Sequence, residues 1–378
     1  MLARTRAIAK KEFKQLWRDK RMLFVLIFFP TFLLAMFGYA VNFDVRNIQL
    51  AIYDSDKSDV SRDFISNLSN STYFEFVEYL NNDDDVRRAL NDKDAQVVMV
   101  IPEDFSEKLF RGEETAKIQF LVDGVDGNTA NIISNYVNAA TLAYNSKLQK
   151  DFFAQMGITR EPPVLLEPLF WFNPNLETTK FLIPGLIVMI LIVTAVVAVS
   201  ISLVREKERG TIEQINVSSL STAELLIGKS LPYILLALVD ALFILVLGYI
   251  LFDVTIEGSI LLFFAATLVF ILAATSQGIF LSVVADSQQV AFTVAILTTL
   301  LPSLMLSGFI FPIESMPGII QVVTNITPAK FFVNILRAIM LRGVGIEAIW
   351  TQLVYMSIFI LLFLGFASVI HKKKLSAA

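Results

Sequence analysis

The chain alternates long apolar blocks with polar stretches. Its longest uninterrupted block, Phe181 to Val204, holds no ionisable residue and ends in Arg205-Glu206-Lys207-Glu208-Arg209-Gly210. As a helix this block is about 36 Å long, enough to cross a hydrocarbon core of about 30 Å. The mixed charge at its end marks arrival in water. Similar blocks at 22–41, 231–252, 260–284, 290–311 and 350–370 bring the predicted spans to six. Pro30 predicts a kink in the first span. Ahead of it, residues 1–21 carry eight Lys/Arg, with Ile8, Phe13, Leu16 and Trp17 at helical spacings. That pattern predicts an amphipathic helix lying in the lipid interface. No small-residue cleavage site follows the first apolar block, so it reads as a retained span, not a signal peptide.

Between the first two spans, residues 42–180, the hydrophobic period changes. Strand patterns at Ile48–Tyr53, Tyr73–Tyr79, Ala95–Ile101 and Lys117–Val122 alternate with helical patterns at Val60–Leu68, Asp83–Leu90 and Glu103–Arg111. A turn at Asp123–Asn128 precedes one long helix from Thr129 to about Gln155. The alternation predicts a small α/β domain. Pro162, Pro163, Pro168 and Pro174 stiffen the linker that follows, and Phe170, Trp171 and Phe172 suit the headgroup belt before the second span. Residues 205–230 read as a polar connection with one or two short surface helices. Residues 312–347 combine Pro312, Pro317 and Pro328 with a helix at Phe331–Leu341, a half-buried and re-entrant pattern. Residues 371–378 form a tail. The fold class is therefore an α-helical polytopic membrane protein with six transmembrane helices, an N-terminal elbow helix and an inserted extracytoplasmic α/β domain.

Composition supports this class: 55% of 378 residues are hydrophobic, and mean hydropathy is +0.63. The net charge of −4 conceals an asymmetry, because residues 42–180 hold 13 Lys/Arg against 23 Asp/Glu, a balance of −10 that leaves +6 elsewhere. Basic residues flank the first span, the 205–230 connection and the tail (Lys372-Lys373-Lys374), which assigns these segments and both termini to the cytosol. The acidic segment then lies outside. Lys330, Arg337 and Arg342 fit that topology less well. The absence of cysteine excludes disulfides, thiolate catalysis and Cys-ligated metals, and the single histidine, His371, argues against histidine catalysis.

Little else reads as chemistry. Ala223-Glu224-Leu225-Leu226-Ile227-Gly228-Lys229-Ser230 matches a loose phosphate-loop pattern, but Glu224 and an apolar triplet replace the flexible amides that would cradle phosphate. Its Lys229 reads as a residue snorkelling to the interface. Asp240 is an acid inside an apolar block, a functional signal by default in hydrocarbon. It lacks a basic or acidic companion there, which favours a polar contact or a lumen-facing residue over a proton relay. Ser276 and Gln277 either bond between helices or face the same path, and Asp286 belongs to a short turn. The clusters Asp83-Asp84-Asp85 and Asp54, Asp56, Asp59 lack a calcium-loop pattern and read as solvated faces.

The charged hexapeptide breaks at Gly210 and restarts with Thr211 as a cap and Glu213 near a new N-terminus, an arrangement suited to docking a soluble partner. Here the chain resembles a known family. Arg205-Glu206-Lys207-Glu208-Arg209-Gly210-Thr211-Ile212-Glu213-Gln214, Gly228-Lys229-Ser230-Leu231-Pro232-Tyr233 and Phe311-Pro312-Ile313-Glu314-Ser315-Met316-Pro317, with the basic elbow helix, are similar to the signatures of ABC-2 type transporter permeases. The long domain after the first span, with Val100-Ile101-Pro102-Glu103-Asp104-Phe105, resembles a bacterial subgroup of exporters. The resemblance covers essentially the whole chain.

It implies a permease subunit in the bacterial inner membrane, paired with a second copy or a paralogue and driven by a separate ABC ATP-binding subunit. ATP and Mg would sit on that subunit, with no cofactor on this chain, no enzyme activity of its own and no nucleic-acid partner; a periplasmic adaptor is a further partner it allows. The elbow helix, the segment Arg205, Glu206, Lys207, Glu208, Arg209, Gly210, Thr211 and Glu213, and a short helix around Ser219–Leu226 would meet the ATPase. Asp240, Ser276 and Gln277 are candidates for the path of an amphipathic, lipid-like or drug-like substrate. Two other classes stay open: a membrane-anchored receptor acting through its outer domain, and an ion-coupled carrier using Asp240.

Overall fold

The computed structural model describes residues 2–40, 47–71, 73–111, 115–155, 171–172, 178–210 and 221–377. The proline-rich linker and residues 211–220 lie outside this set, apart from Trp171 and Phe172. The chain divides into two compact units, Met1–Asn42 with Phe170–Ala378, and Phe43–Leu169.

The smaller unit contains β1 (Ile48–Asp54), β2 (Phe74–Tyr79), β3 (Val97–Ile101) and β4 (Gln119–Val122) in the order β2-β1-β3-β4. β1 is parallel to both neighbours, and β4 runs antiparallel to β3. Alternation sorts the side chains onto two faces. Ile48, Leu50, Ile52, Val97, Met99 and Ile101 face α3 (Asp59–Ser69), α5 (Phe105–Arg111) and α6 (Gly127–Gln155). Ala51 and Val98 face α4 (Asp83–Asn91) through Val86 and Ala89. A sheet covered on both faces explains why its central strands read as continuous apolar runs.

Several of the acids noted in the sequence serve this framework. Asp54 accepts from the amides of Asp56 (3.1 Å) and Lys57 (3.0 Å) and from Ser61 Oγ (2.7 Å). Asp56 accepts from Ser106 N (3.2 Å) and Oγ (2.8 Å), fastening the β1–α3 turn to α5. Asn82 caps α4, accepting from Asp85 N at 2.8 Å. α6 is held against α3 by Lys147, whose Nζ lies 2.8 Å from Asp63 Oδ2, and by the Tyr144 ring standing edge-on to Phe64 at 4.8 Å.

The larger unit is a helical bundle built around α7 (Thr178–Glu208), which is buried over 83% of its most apolar window. A helix apolar on every side belongs at the centre of its bundle. It packs against α2 (Lys20–Ala40), α8 (Thr222–Phe252), α9 (Ile260–Val284), α10 (Gln288–Met305) and α12 (Pro328–Met340). α9 also carries α13 (Ile346–Ala377) on its far side. At Gly278 an added Cβ would meet the carbonyl oxygen of Val196 at 2.9 Å, so α9 approaches α7 backbone to backbone, the small-residue contact typical of membrane helices. The outer helices expose apolar side chains such as Leu361 (72%) and Val369 (66%). A surface of this kind is stable in hydrocarbon and aggregates in water.

Among the described residues, six helices are long and apolar enough to cross a membrane. Their limits correct several expectations. α8 is one continuous helix from Thr222, begun by a capping box between Ser221 and Glu224, so residues 222–230 belong to the same helix as the span expected at 231; residues 211–220 of the expected surface segment lie outside the described residues. Apolar residues run on to Phe311, but α10 ends at Met305, three residues after Pro302, and Gly308 turns the chain at φ +78°. α13 begins at Ile346 and runs into the tail. Pro30 leaves α2 unbroken. Between α10 and α13, α11 (Gly318–Val323) with the turn to Ile326 and α12 make a pair bent by 92°, the geometry of either a broken span or a re-entrant loop.

Lys147 beside it holds the Asp63 carboxyl below its ordinary range, and burial, with Asp63 nearby, pushes the Tyr144 hydroxyl from 10.0 up to about 12. A raised folded-state value contributes stability that is complete below pH 10 and is lost as pH rises toward 12. Tyr144→Phe should therefore remove part of the alkaline loss of stability in this window, read as protease sensitivity of α6 in the full chain. Identical pH profiles for the two proteins would refute the assignment.

Candidate functional site

α1 (Leu2–Arg18) is a separate helix, divided from α2 at Asp19, whose carboxylate accepts from Met22 N at 3.1 Å and caps α2. It crosses α8 where Gly228 removes the Cβ: one added there would meet Ile8 Cβ at 2.8 Å and Thr5 O at 3.0 Å. The predicted apolar stripe of α1 splits. Leu16 is buried, whereas Phe13 and Trp17 face outward, their rings stacked at 6.2 Å.

On the inner face of α1, between Ile8 and Leu16, lies Glu12, only 3% exposed. Lys229, 2% exposed, reaches it from α8 with Nζ 3.1 Å from Glu12 Oε1, and also stands 3.3 Å from Glu206 Oε1 on α7. Lys11 closes the group from the rim, 2.9 Å from Glu206. Ser202 adds its carbonyl to Lys229 (3.3 Å) and donates its hydroxyl to Glu12 (3.3 Å). Two carboxylates and two ammonium groups thus join three helices in a site largely withdrawn from water. Lys229 does not snorkel outward as the sequence predicts, because two buried acids offer a better partner than the interface.

Most of the hexapeptide turns inward as well. Arg205 lies 3.6 Å from Asp19 and donates to Gln288 Oε1 at 3.2 Å. Lys207 donates to the carbonyl oxygens of Ser282, Val283 and Ala285, capping the C-terminal end of α9. Glu208 accepts from the Gln288 amide at 2.7 Å and from its side chain, which fixes the start of α10. Arg209 and Gly210 are exposed, Gly210 at φ +66°, where a side chain would be strained. Thr211 and Glu213 lie outside the described residues, as does the start of the helix expected at Ser219–Leu226. Gly228-Lys229-Ser230 sits inside α8, and a lysine buried between carboxylates cannot reach a nucleotide phosphate.

A cavity of about 410 Å³ opens beside this cluster, lined by Arg18, Asp19, Arg205, Glu206, Arg209 and Lys229 among others. Asp240, 2% exposed on α8, and Gln277, 6% exposed on α9, each bury a side-chain oxygen without a hydrogen-bond partner among the described residues. Ser276 spends its hydroxyl on Ala273 O at 2.6 Å. Sequence reading missed Glu12, Lys11, Asp19 and Gln288. The signal for Glu12 was its register: positions 8, 12 and 16 share one helix face, and an acid between two inward apolar residues is buried with them.

The family model described as ABC-2 family transporter protein matches residues 20–369. The chain is 33% identical over 340 residues, covering 90% of itself and 89% of the relative, to a protein of Escherichia coli named probable multidrug ABC transporter permease YbhS. It is 29% identical over 353 residues, 93% and 94% of the two chains, to the probable multidrug ABC transporter permease YbhR of the same organism. ABC transporter G family member 20 of Dictyostelium discoideum is 26% identical over 348 residues, which are 90% of this chain and 46% of that one. With six apolar helices of membrane-crossing length among the described residues and a match spanning nearly its whole length, the chain belongs to the ABC-2 family of transporter proteins.

Proposed function

We propose that this chain is the membrane permease of an exporter whose ATP-binding subunit is a separate protein carrying ATP and Mg. The observation that carries the reading is the ion cluster of Glu12, Glu206, Lys11 and Lys229, which makes α1 and the ends of α7 and α8 one rigid handle. A permease without an engine needs such a part, because force applied to a soft surface would not reach the spans. The ATPase meets this end through Arg209, Gly210 and the adjoining Thr211 and Glu213, with Arg205, Glu206, Lys207 and Glu208 shaping the surface from behind. The substrate is amphipathic, in keeping with the multidrug names of the E. coli relatives, and Asp240, Ser276 and Gln277 face its path between two copies of the chain or a copy and a paralogue. The basic α1 and tail lie in the cytosol of a bacterial inner membrane, and the acidic α/β unit lies outside, where a periplasmic adaptor would find it.

The sequence has no cysteine, so single introduced cysteines report sidedness. Val125→Cys, at a position 87% exposed, should react with a membrane-impermeant maleimide on cells whose inner membrane is intact, and Lys14→Cys only once that membrane is opened. The reverse order would overturn the topology.

Arg209→Glu should lower co-purification of the ATPase at least tenfold while changing the stability of the isolated chain by less than about 0.5 kcal/mol. Lys229→Met leaves Glu12 and Glu206 without their buried cation and should cost about 3–5 kcal/mol, seen as a lower melting temperature before any partner is added. Undiminished association of Arg209→Glu would remove that residue from the interface.

The unpartnered carboxylate of Asp240 favours one second reading, an ion-coupled carrier. In proteoliposomes containing the ATPase, Asp240→Asn should retain ATP-dependent export with an altered substrate preference. Gradient-driven transport without ATP in the native chain, abolished by this substitution, would establish the carrier instead.

A further inference from the structure

We infer that the cavity between α1, α7 and α8 binds the phosphate group of a membrane phospholipid through Arg18 and Arg209. The inference rests on the membrane reading above and goes beyond it to a lipid site. Every carboxylate lining the cavity is already engaged. Glu12 and Glu206 are held by Lys229 and Lys11, and Asp19 by Arg205 and the Met22 amide. Arg18 and Arg209, both exposed and both lining the cavity, have no ion pair among the described residues. The opening is therefore left with two free guanidinium groups, whose planar donors match the oxygens of a phosphate.

Two observations favour a lipid over a free ion. The volume of about 410 Å³ lies in the range that accommodates a small organic molecule, far more than one phosphate fills. Trp17, 67% exposed and next to Arg18, and Phe13, 46% exposed and next to Glu12, form an outward aromatic pair on the same turns of α1. Outward aromatics of this kind sit at headgroup depth, so the cavity on the inner side of α1 opens at the level where lipid phosphates lie. A basic pocket between membrane helices at that level is a site for anionic headgroups. The floor is stiff, since Glu12, Lys229 and Tyr233 are each under 5% exposed, and a lipid seated there would brace the handle without entering the transport path.

The test uses the full-length chain in a mild detergent, incubated with dioleoyl-phosphatidylglycerol or dioleoyl-phosphatidylcholine and read by native mass spectrometry. One phospholipid of either kind should survive activation that strips the others. Arg18→Gln should reduce its retention about tenfold and Arg18→Gln with Arg209→Gln further, while Arg18→Lys should keep much of it. Equal retention in the double variant would overturn the inference. Complete displacement by millimolar inorganic phosphate would overturn the lipid assignment in favour of a free anion. Loss of the ATPase with lipid retention unchanged in the double variant would overturn the lipid site and leave Arg209 to the partner alone. Failure of the membrane reading would look different, as a native chain that is soluble and carries neither detergent nor lipid.

Discussion

A charge withdrawn from water has to be matched within the fold, and Lys229 is the clearest instance here. The residue is only 2% exposed, and its charge is matched by two carboxylates brought by different helices, Glu12 from α1 and Glu206 from α7. Glu12 is buried against this lysine, and Glu206 shares it with Lys11 at the rim, so the positions are a single decision of the fold. The close crossing at Gly228 follows from it, because Glu12 reaches Lys229 only if α1 lies directly on α8. The break at Asp19 follows too: α1 must leave the direction of α2 to lie there, and Asp19 caps the new helix while pairing with Arg205.

The same rule sorts the charges that end α7. A helix that emerges into water with Arg205, Glu206, Lys207 and Glu208 in succession points them around its whole circumference, toward several different neighbours. Glu206 turns to α1 and α8, Lys207 to the last carbonyls of α9, and Arg205 and Glu208 to Gln288 at the start of α10. One turn of helix thereby fixes the ends of most of its neighbours. Only after these bonds are made does Arg209 remain for anything outside the chain.

The spans and the α/β alternation were legible because both rest on periodicity, which is a local property. Ile48, Leu50 and Ile52 on one face of β1 against Ala51 on the other, and the all-apolar run of α7, are visible before any partner is known. The site was half legible. The hexapeptide announces itself by composition, but the inward aim of its charges depends on what α1, α9 and α10 offer, and those pairings join residues far apart in the chain, 80 positions for Glu208 with Gln288 and 195 for Lys11 with Glu206. Lys229 was misread because snorkelling is the default for a lysine near a span end when no acid is within reach. The continuity of α8 was hidden for a different reason: the polar residues before 231 read as a separate connection, whereas Ser221 and Glu224 cap a helix there that Gly228 lets cross α1 and that runs on through Pro232.

The two ends of α7 are held by different chemistry, and the difference has an energetic consequence. At the Glu206 end the partners are full charges, and breaking such a buried pair costs about 3–5 kcal/mol. At the Phe181 end the holding group is Arg337 of α12, which donates to the carbonyl oxygens of Gly308 (2.9 Å), Phe309 (3.2 Å) and Phe181 (3.4 Å) and stacks 3.9 Å from the Phe181 ring. Carbonyl bonds to a charged donor are worth about 1.5–3 kcal/mol each and are readily exchanged for neighbouring carbonyls, because the guanidinium offers five donors and none of its acceptors carries a charge that would be stranded. The ring contact tolerates sliding for the same reason. The two ends therefore differ in the kind of partner they use, full charges at the ion cluster and backbone carbonyls beside Gly308, where the chain bends sharply between α10 and the 92° helix pair.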